Sequence, residues 1–172
     1  MSRVLRTPLC ERLGIEWPIF GFAHSVDVVA AVSAHGGMGV FGGTRNTPEE
    51  ITEAMLAVRA KAGSRPFGLD LVLPKGMPRT ADRAAIELEI PAGHREFVDG
   101  LWKKYNVPPP SQPGMRSRFV RSEEIAAAQI EAALSTDVDL FACGIGAPPE
   151  VVARAKSLGK TTLALVLSLI HI

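Results

Sequence analysis

The sequence has few of the features that mark secreted, membrane-bound or nucleic-acid-binding proteins. Its two cysteines, Cys10 and Cys143, lie too far apart to suggest a disulfide framework or a zinc site. Its formal net charge of +1 provides no electrostatic attraction to nucleic acid or to a membrane surface. It has no uncharged apolar run of about 18 residues, and its first residues do not resemble a secretory signal. We therefore expect a cytoplasmic protein with no nucleic-acid or membrane partner.

One nucleotide-binding pattern is also absent. No Gly-x-Gly-x-x-Gly opens the first helix after its strand, so the dinucleotide fingerprint of open α/β sheets is missing. What is present is the composition of a folded domain, with 47% hydrophobic and 22% charged residues. A chain of 172 residues is long enough for one domain with a substantial apolar core.

Short apolar runs alternate with helical patterns along most of the chain. Thr47 to Glu50 is the clearest helix start, because Thr47 can cap the helix and Glu50 can close a capping box. The five predicted strands begin near residues 19, 38, 67, 139 and 161. This alternation predicts a parallel sheet with right-handed crossovers, as an open doubly wound sheet or as a closed barrel.

The barrel is the better prediction for these strands. A complete (β/α)8 barrel needs about 250 residues, so five strands in this length indicate its first part. We predict a partial TIM barrel of about five βα units over residues 1–166. Residues 167–172 prolong an apolar run where a turn and a polar helix start are expected. We interpret them as a non-native tail on a truncated chain, and a genuine hydrophobic end strand is the alternative.

Two segments fall outside the βα rhythm. Residues 1–17 have the pattern of a segment that covers the bottom of a barrel, with Leu5, Leu9 and Leu13 on one apolar face. Residues 75–121 form a predicted insert, and connections of this length are often lids or insertions. Within it we predict a helix from 91 to 105 whose apolar residues pack inward, namely Phe97, Val98, Leu101 and Tyr105.

The ends of parallel strands are where ligands bind in barrels and sheets, so polar residues and glycines there are candidates for a site. Asp70 lies in a nearly continuous apolar run, where an unpaired carboxylate is costly. It is either a site residue or half of an ion pair with a Lys or Arg across the barrel. Gly144 ends the fourth strand. His24 follows the first strand and is either a general acid or base or a helix-start histidine that bonds to the backbone.

Four segments carry a family resemblance. They resemble the N-terminal part of nitronate monooxygenases, formerly called 2-nitropropane dioxygenases, closely over residues 18–74 and more loosely over 122–166. Their Gly-Gly-Met-Gly turn is shared with related FMN barrels, including flavin-dependent enoyl reductases. The segments are residues 18–23, 30–39, 47–50 and 65–71.

The resemblance implies a TIM barrel that holds FMN without a covalent bond and oxidises alkyl nitronates with O2, without a metal. It implies that Gly21, Phe22 and Ala23, as the turn after the first strand, lie against the flavin. It also implies a polar side chain from the third strand at the flavin ring. The family usually has Asn in that place, and this sequence has Asp70.

Parts of the family's site are expected beyond residue 166. The catalytic histidine of the well-studied members follows a later Gly-rich motif, and the phosphate loops come from the last strands. We therefore expect the chain as given to bind FMN weakly or not at all, and to aggregate or form a homo-oligomer through its uncovered strands. The alternatives are an enoyl reductase that uses a nicotinamide donor and an inactive fragment.

Overall fold

The computed structural model describes residues 5–80, 82–111 and 120–166. The predicted tail at 167–172 lies outside the described residues. The described chain contains one parallel sheet of five strands, in the order β1-β2-β3-β4-β5. The strands are β1 (Phe20–Ala23), β2 (Met38–Gly42), β3 (Phe67–Val72), β4 (Leu140–Gly144) and β5 (Thr161–Ala164).

The strand order distinguishes the two predicted architectures. Every strand pairs with the next one along the chain, from Phe20 beside Met38 in the first pair to Leu140 beside Thr161 in the last. A doubly wound sheet reverses its direction of growth at a switch point, whereas a barrel adds each strand to the same side of the one before. The order is that of a barrel, and the predicted partial (β/α)8 fold is confirmed.

Seven helices are described, and local sequence signals explain where they begin and end. In the capping box, the Glu50 backbone N–H donates to Thr47 Oγ1 at 3.3 Å, and the Thr47 N–H donates to Glu50 Oε2 at 3.0 Å. The helices are α1 (Pro8–Leu13), α2 (Val26–Ala34), α3 (Pro48–Ala62), α4 (Arg83–Glu89), α5 (Ala92–Lys104), α6 (Glu123–Ser135) and α7 (Pro149–Ser157). None of the described helices is long and apolar enough to cross a membrane.

The chain divides into two compact units, and the second is Met77–Glu124. Helices α4 and α5 belong to this second unit. The predicted helix at 91–105 is present as α5, but the prediction that its apolar residues pack inward is wrong. Phe97 is 67% exposed, and no residue of α4 or α5 is buried. Two short helices without a sheet have too little surface of their own to enclose an apolar face.

The apolar segment before β1 closes one end of the sheet in the first unit. Cys10, Leu13 and Ile15 are buried in one cluster with Met38 and Leu140, the first residues of β2 and β4. The segment therefore lies at the N-terminal ends of the strands, as predicted. The face that it uses differs from the prediction, because Leu5 and Leu9 are exposed and only Leu13 of the three leucines is buried.

Arg59, near the end of α3, joins this helix to the segments that lead into β3 and β4. Its Nε donates to Asp137 Oδ2 at 2.6 Å and its Nη2 to Asp139 Oδ2 at 3.0 Å. Its Nη1 donates to the backbone oxygens of Gly63 and Arg65, each at 3.0 Å. Such charge-assisted bonds are stronger than neutral ones, and the planar guanidinium suits several acceptors at once.

We expect Arg59→Ala to lower the free energy of unfolding by about 3 kcal/mol, because several charge-assisted hydrogen bonds are lost and their acceptors lose a partner. Urea denaturation followed by circular dichroism measures the change. Arg154→Ala is the matched control, since Arg154 pairs with Glu131 and both side chains are exposed. A surface pair of that kind contributes little. Equal losses in the two variants would contradict the role of Arg59.

Candidate functional site

Alternate residues of the five strands line a cavity of about 590 Å³ on one face of the sheet. Strand residues two apart point to the same face, so the period of the strands decides which side chains meet there. Phe22 comes from β1, Val40 from β2, Asp70 and Val72 from β3, and Gly144 from the end of β4. The volume is in the range of small-molecule sites.

Asp70 supplies a carboxyl group to this largely apolar cavity. The residue is 5% exposed, and its Oδ1 has no hydrogen-bond partner among the described residues. Burial raises the pKa of Asp70 from 3.8 to about 6, and the nearby His24 opposes the rise. In the described part of the chain no Lys or Arg pairs with Asp70, so the alternative of an ion pair across the barrel finds no support there.

A glycine leaves this carboxyl open to the cavity. A Cβ atom at Gly144 would lie 3.6 Å from Asp70 Oδ1 and 3.7 Å from Oδ2. Gly144 stands directly opposite Val72 in the pairing of β3 with β4. Any side chain longer than that of alanine at position 144 would extend into the space beside the carboxyl, so glycine there favours access by a ligand.

Gly42 has a different role, which is to accommodate two rings. A Cβ at Gly42 would lie 2.6 Å from His24 Cε1 and 2.6 Å from Phe22 Cζ. The two rings contact each other edge to face, with centroids 5.3 Å apart and planes at 81°. Only glycine at position 42 lets both rings pack over the end of β2.

His24 is held by a backbone hydrogen bond, as its interpretation as a helix-start histidine predicted. Its Nδ1 lies 2.9 Å from the carbonyl oxygen of Gly42. A carbonyl oxygen only accepts, so Nδ1 carries the proton and donates it, which leaves Nε2 as an acceptor. His24 is exposed, and it does not belong to the residues that line the cavity. The bond therefore defines both the ring orientation and the tautomer.

The structure brings three of the six predicted site residues to the cavity, namely Phe22, Asp70 and Gly144. Gly21 faces helix α2, since a Cβ there would lie 2.7 Å from Val32 Cγ2. Gly21, Phe22 and Ala23 were expected to form the turn after the first strand, but they are part of β1. The strand is longer than predicted because its pairing with β2 continues to Ala23, opposite Phe41.

Ile145 is a site residue that was not predicted from the sequence. Ile145 lines the cavity directly after β4, with φ at 53° and 68% of its surface exposed. A signal for it was available in the Gly144-Ile145-Gly146 sequence, where one large aliphatic residue stands between two glycines at a strand end.

Gln129, on α6, was also missed, and it supports the loop after β2. Its Nε2 donates to the backbone oxygens of Thr44 at 3.0 Å and Asn46 at 2.7 Å. Thr44 Oγ1 in turn accepts the backbone N–H of Val72 at 2.9 Å. This chain of contacts links α6 to the ends of β2 and β3. A buried glutamine in an Ala-rich helix was the available signal.

The side chains that line the cavity suit an aromatic organic ligand. Flat apolar walls and one buried carboxyl can hold a planar ring system that has a single polar edge. In the described part of the chain, no three His, Cys, Asp or Glu side chains come together as the ligands of a metal ion would.

Comparisons with known proteins agree with this geometry. The sequence profile of the family described as "Nitronate monooxygenase" matches residues 6–171. A Mycobacterium tuberculosis (strain ATCC 25618 / H37Rv) protein named "Putative monooxygenase Rv1533" is 34% identical over 163 residues, which is 88% of this chain and 42% of that protein.

Solved structures show the same fold. A nitroalkane oxidase from Streptomyces ansochromogenes superposes with a TM-score of 0.64 at 21% identity, over 92% of this chain and 42% of that one. FabK from Thermotoga maritima superposes with a TM-score of 0.61 at 20% identity, over 95% and 38%. The chain thus spans about two fifths of the length of each of these proteins. Because the family profile covers almost the whole sequence, the chain belongs to the nitronate monooxygenase family.

Proposed function

We propose that this chain forms part of an FMN-dependent oxidoreductase that oxidises alkyl nitronates with O2. The observation that carries the proposal is the buried Asp70 oxygen without a partner, in an apolar cavity of a nitronate monooxygenase family barrel. A buried polar atom left unpaired by the protein is costly unless a ligand pairs with it. The relatives' names include a monooxygenase and a nitroalkane oxidase, which supports this class of reaction.

The residues of the cavity fit an isoalloxazine ring. Phe22 and Val72 would provide apolar contacts to such a ring, and Gly144 leaves space beside the Asp70 carboxyl. Above its pKa of about 6, Asp70 accepts a hydrogen bond from a ring N–H, and below it the protonated carboxyl donates one. Flavin, when bound, accepts electrons from the substrate carbon and passes them to O2. The protein binds the ring, orients the substrate beside it and excludes water.

Among the described residues, we propose His24 as a general acid or base, and its ring lies against Phe22 of the cavity wall rather than in the cavity lining. Its Nδ1–H is held by the Gly42 carbonyl, which leaves Nε2 free to accept a hydrogen bond or a proton from a substrate. Gly21 and Ala23 remain proposed flavin neighbours through the backbone of β1. The T-shaped contact with Phe22 links His24 to a residue of the cavity wall.

The cofactor and the substrates that we propose are those that the resemblance to nitronate monooxygenases implies. We propose that FMN rather than FAD is the cofactor, and that its phosphate binds to segments outside residues 1–166. The substrates are a small nitronate and O2. We also propose a cytoplasmic location, which agrees with the free and buried state of Cys10 and Cys143. We also propose an oligomer of identical chains, which would cover exposed apolar residues outside the cavity lining, such as Ile19.

Purification of the full chain tests the proposal. Because the phosphate is proposed to bind outside these residues, we expect weak FMN binding, which is detected as quenching of FMN fluorescence or as flavin absorbance retained after free FMN is removed by gel filtration. Acid release and chromatography distinguish FMN from FAD. The loaded protein should consume O2 when propyl-2-nitronate is added. Unchanged FMN fluorescence at every concentration of this chain would contradict the proposed contact between the cavity and the flavin ring.

The same FMN-loaded protein distinguishes nitronate oxidation from a second candidate function, which is reduction with a nicotinamide donor. The Gly-Gly-Met-Gly turn of this chain resembles that of flavin-dependent enoyl reductases, which take electrons from a nicotinamide donor. Mixing the loaded protein with NADH or NADPH under argon reports the rate of flavin bleaching. Rapid bleaching would favour a reductase and count against the nitronate oxidation that we propose.

A further inference from the structure

Ile145 has a backbone conformation that its residue type strongly disfavours. Its φ of 53° lies in the left-handed region, where a β-branched side chain is a genuine outlier. Conformations of this kind persist when the surrounding structure imposes them, and they concentrate at ligand-binding sites. Asparagine or glycine would adopt this φ with less strain, so the isoleucine side chain must have a separate role.

Contacts on both sides impose the path of this loop. The Leu73 backbone N–H donates to the Gly144 carbonyl oxygen at 3.0 Å. On the other side, Gly146 has φ of 140°, and a Cβ there would lie 2.0 Å from the carbonyl oxygen of Leu73. The loop is therefore pressed against the end of β3. Position 145 must bulge between these two points, whichever residue occupies it.

Core packing does not explain an isoleucine at this position. The side chain is 68% exposed, and its contacts are with the open cavity rather than with the interior. Two further exposed aliphatic residues, Leu165 and Val166, line the same cavity. An apolar side chain that lines a cavity gains buried area when an apolar ligand covers it, and that gain would offset the cost of the strained backbone.

The polar and apolar ends of the cavity are adjacent in the chain. Ile145 follows Gly144 directly, and the missing side chain of Gly144 leaves Asp70 Oδ1 open. A polar head beside Asp70 in the flavin-free chain, or beside a ring that Asp70 holds, would leave the hydrocarbon portion of the ligand against Ile145. This arrangement fits an amphipathic small molecule, such as an alkyl chain that carries one polar group.

We propose that Ile145 forms a subsite for the alkyl chain of the substrate and determines the chain length that the site prefers. The inference rests on the proposed function in its choice of substrate, and it adds the residue that reads the substrate's hydrocarbon part. Leu165 and Val166 complete the apolar surface against which the chain packs.

The test compares the full wild-type chain with Ile145→Gly and Ile145→Asn. The probes are straight-chain primary amides from acetamide to hexanamide, whose neutral head hydrogen-bonds to a carboxyl in either protonation state. Titration calorimetry measures their dissociation constants. We expect wild-type affinity to rise by about 3- to 4-fold for each methylene that reaches Ile145. Both variants should lose this increment, with hexanamide weakened by about 10-fold and acetamide unchanged within about 2-fold.

Thermal unfolding provides a second readout, in which the variants should not lose stability although their affinity for the longer amides falls. Glycine and asparagine tolerate the left-handed conformation, so both variants should melt at or above the wild-type temperature. The control is Asn106→Gly, since Asn106 has φ of 48° and is not among the residues that line the cavity. This variant relieves a comparable conformation, and it should leave amide binding unchanged.

Each result decides between the alternatives. Lower melting temperatures of both Ile145 variants, with amide binding weakened equally at every chain length, indicate a structural role and overturn the proposal. Unchanged binding in the variants, or wild-type affinity that does not depend on chain length, also overturns it. If the chain-length dependence is lost in the variants but no flavin-dependent O2 uptake is found, the proposed function fails and the alkyl subsite stands.

Discussion

Asp70→Asn is expected to stabilise the protein at pH 8 and to have little effect at pH 4. Burial raises the pKa of this carboxyl from 3.8 to about 6, with His24 opposing the rise. The folded protein then binds the proton more tightly than the unfolded chain. Stability is therefore fully present below pH 3.8 and falls as the pH rises through about 6. The loss at pH 8 reaches at most about 3 kcal/mol, and asparagine removes it.

Urea denaturation of both proteins at pH 4 and pH 8 measures this difference. Asp99→Asn is the control, because Asp99 is an exposed carboxylate on α5 and burial imposes no cost on its charge. A direct measurement follows the Asp70 carboxyl carbon by NMR through the pH range. If Asp70→Asn destabilises the protein equally at both pH values, then a partner holds the carboxylate in the folded state, and the open cavity is the wrong description.

The same variant bears on flavin binding. Asparagine is the residue usual in the family at this place, and its side chain both donates and accepts hydrogen bonds. Asp70→Asn should therefore retain the flavin that the wild type binds, whereas Asp70→Leu should weaken flavin affinity because the polar contact is lost. Fluorescence quenching of added FMN measures both. Equal affinity in Asp70→Leu and the wild type would show that Asp70 does not contact the ring.

Gly39→Ala is expected to cost about 4 kcal/mol or to prevent folding, which would be among the largest effects of a single methyl group. A Cβ at Gly39 would lie 2.1 Å from the carbonyl oxygen of Val29 in helix α2. The Gly39 N–H also donates to Ser33 Oγ of the same helix at 3.1 Å. Backbone lies against backbone here, so the helix as a whole would have to move away from β2.

Gly43→Ala provides the matched control for this prediction. The nearest atoms to a Cβ at Gly43 are side-chain carbons of Ile51, Leu69 and Leu71, at 3.4 to 3.5 Å. These are ordinary contact distances, and we expect a change within about 1 kcal/mol. Soluble yield, circular dichroism and urea denaturation compare the two variants. Similar stabilities would show that α2 can move away from the sheet at little cost.

The contrast between Gly39 and Gly43 shows which properties of a glycine can be predicted from its neighbours in the sequence. Gly36 and Gly37 follow α2 closely, and their role can be predicted from the sequence because glycine is common after the end of a helix. Gly39 and Gly43 have the same appearance in the sequence, and both were placed in or beside a strand. Their different tolerance to a methyl group depends on Val29, ten residues before Gly39, and on the packing of α2 against β2.

The sequence alone determined the strands, most of the helices and the fold class. The signals that did so act over a few residues, as Thr47 and Glu50 do in the capping box, and each is present before the chain folds. The alternation of such elements was enough to predict a parallel barrel. The unusual position of Asp70 in an apolar run was also visible, because one charged residue among apolar ones needs no knowledge of its neighbours in space.

Only the tertiary structure decided which residues share the cavity and which lack a partner. Ile145 and Gly144 line the same cavity as Asp70 because β4 pairs with β3, and that pairing joins residues more than 70 positions apart. The exposure of Phe97 depended likewise on what the second unit can enclose. A local pattern specifies an element and the direction of its side chains. The surroundings of a side chain depend on elements distant in the chain, and no pattern within one segment specifies those.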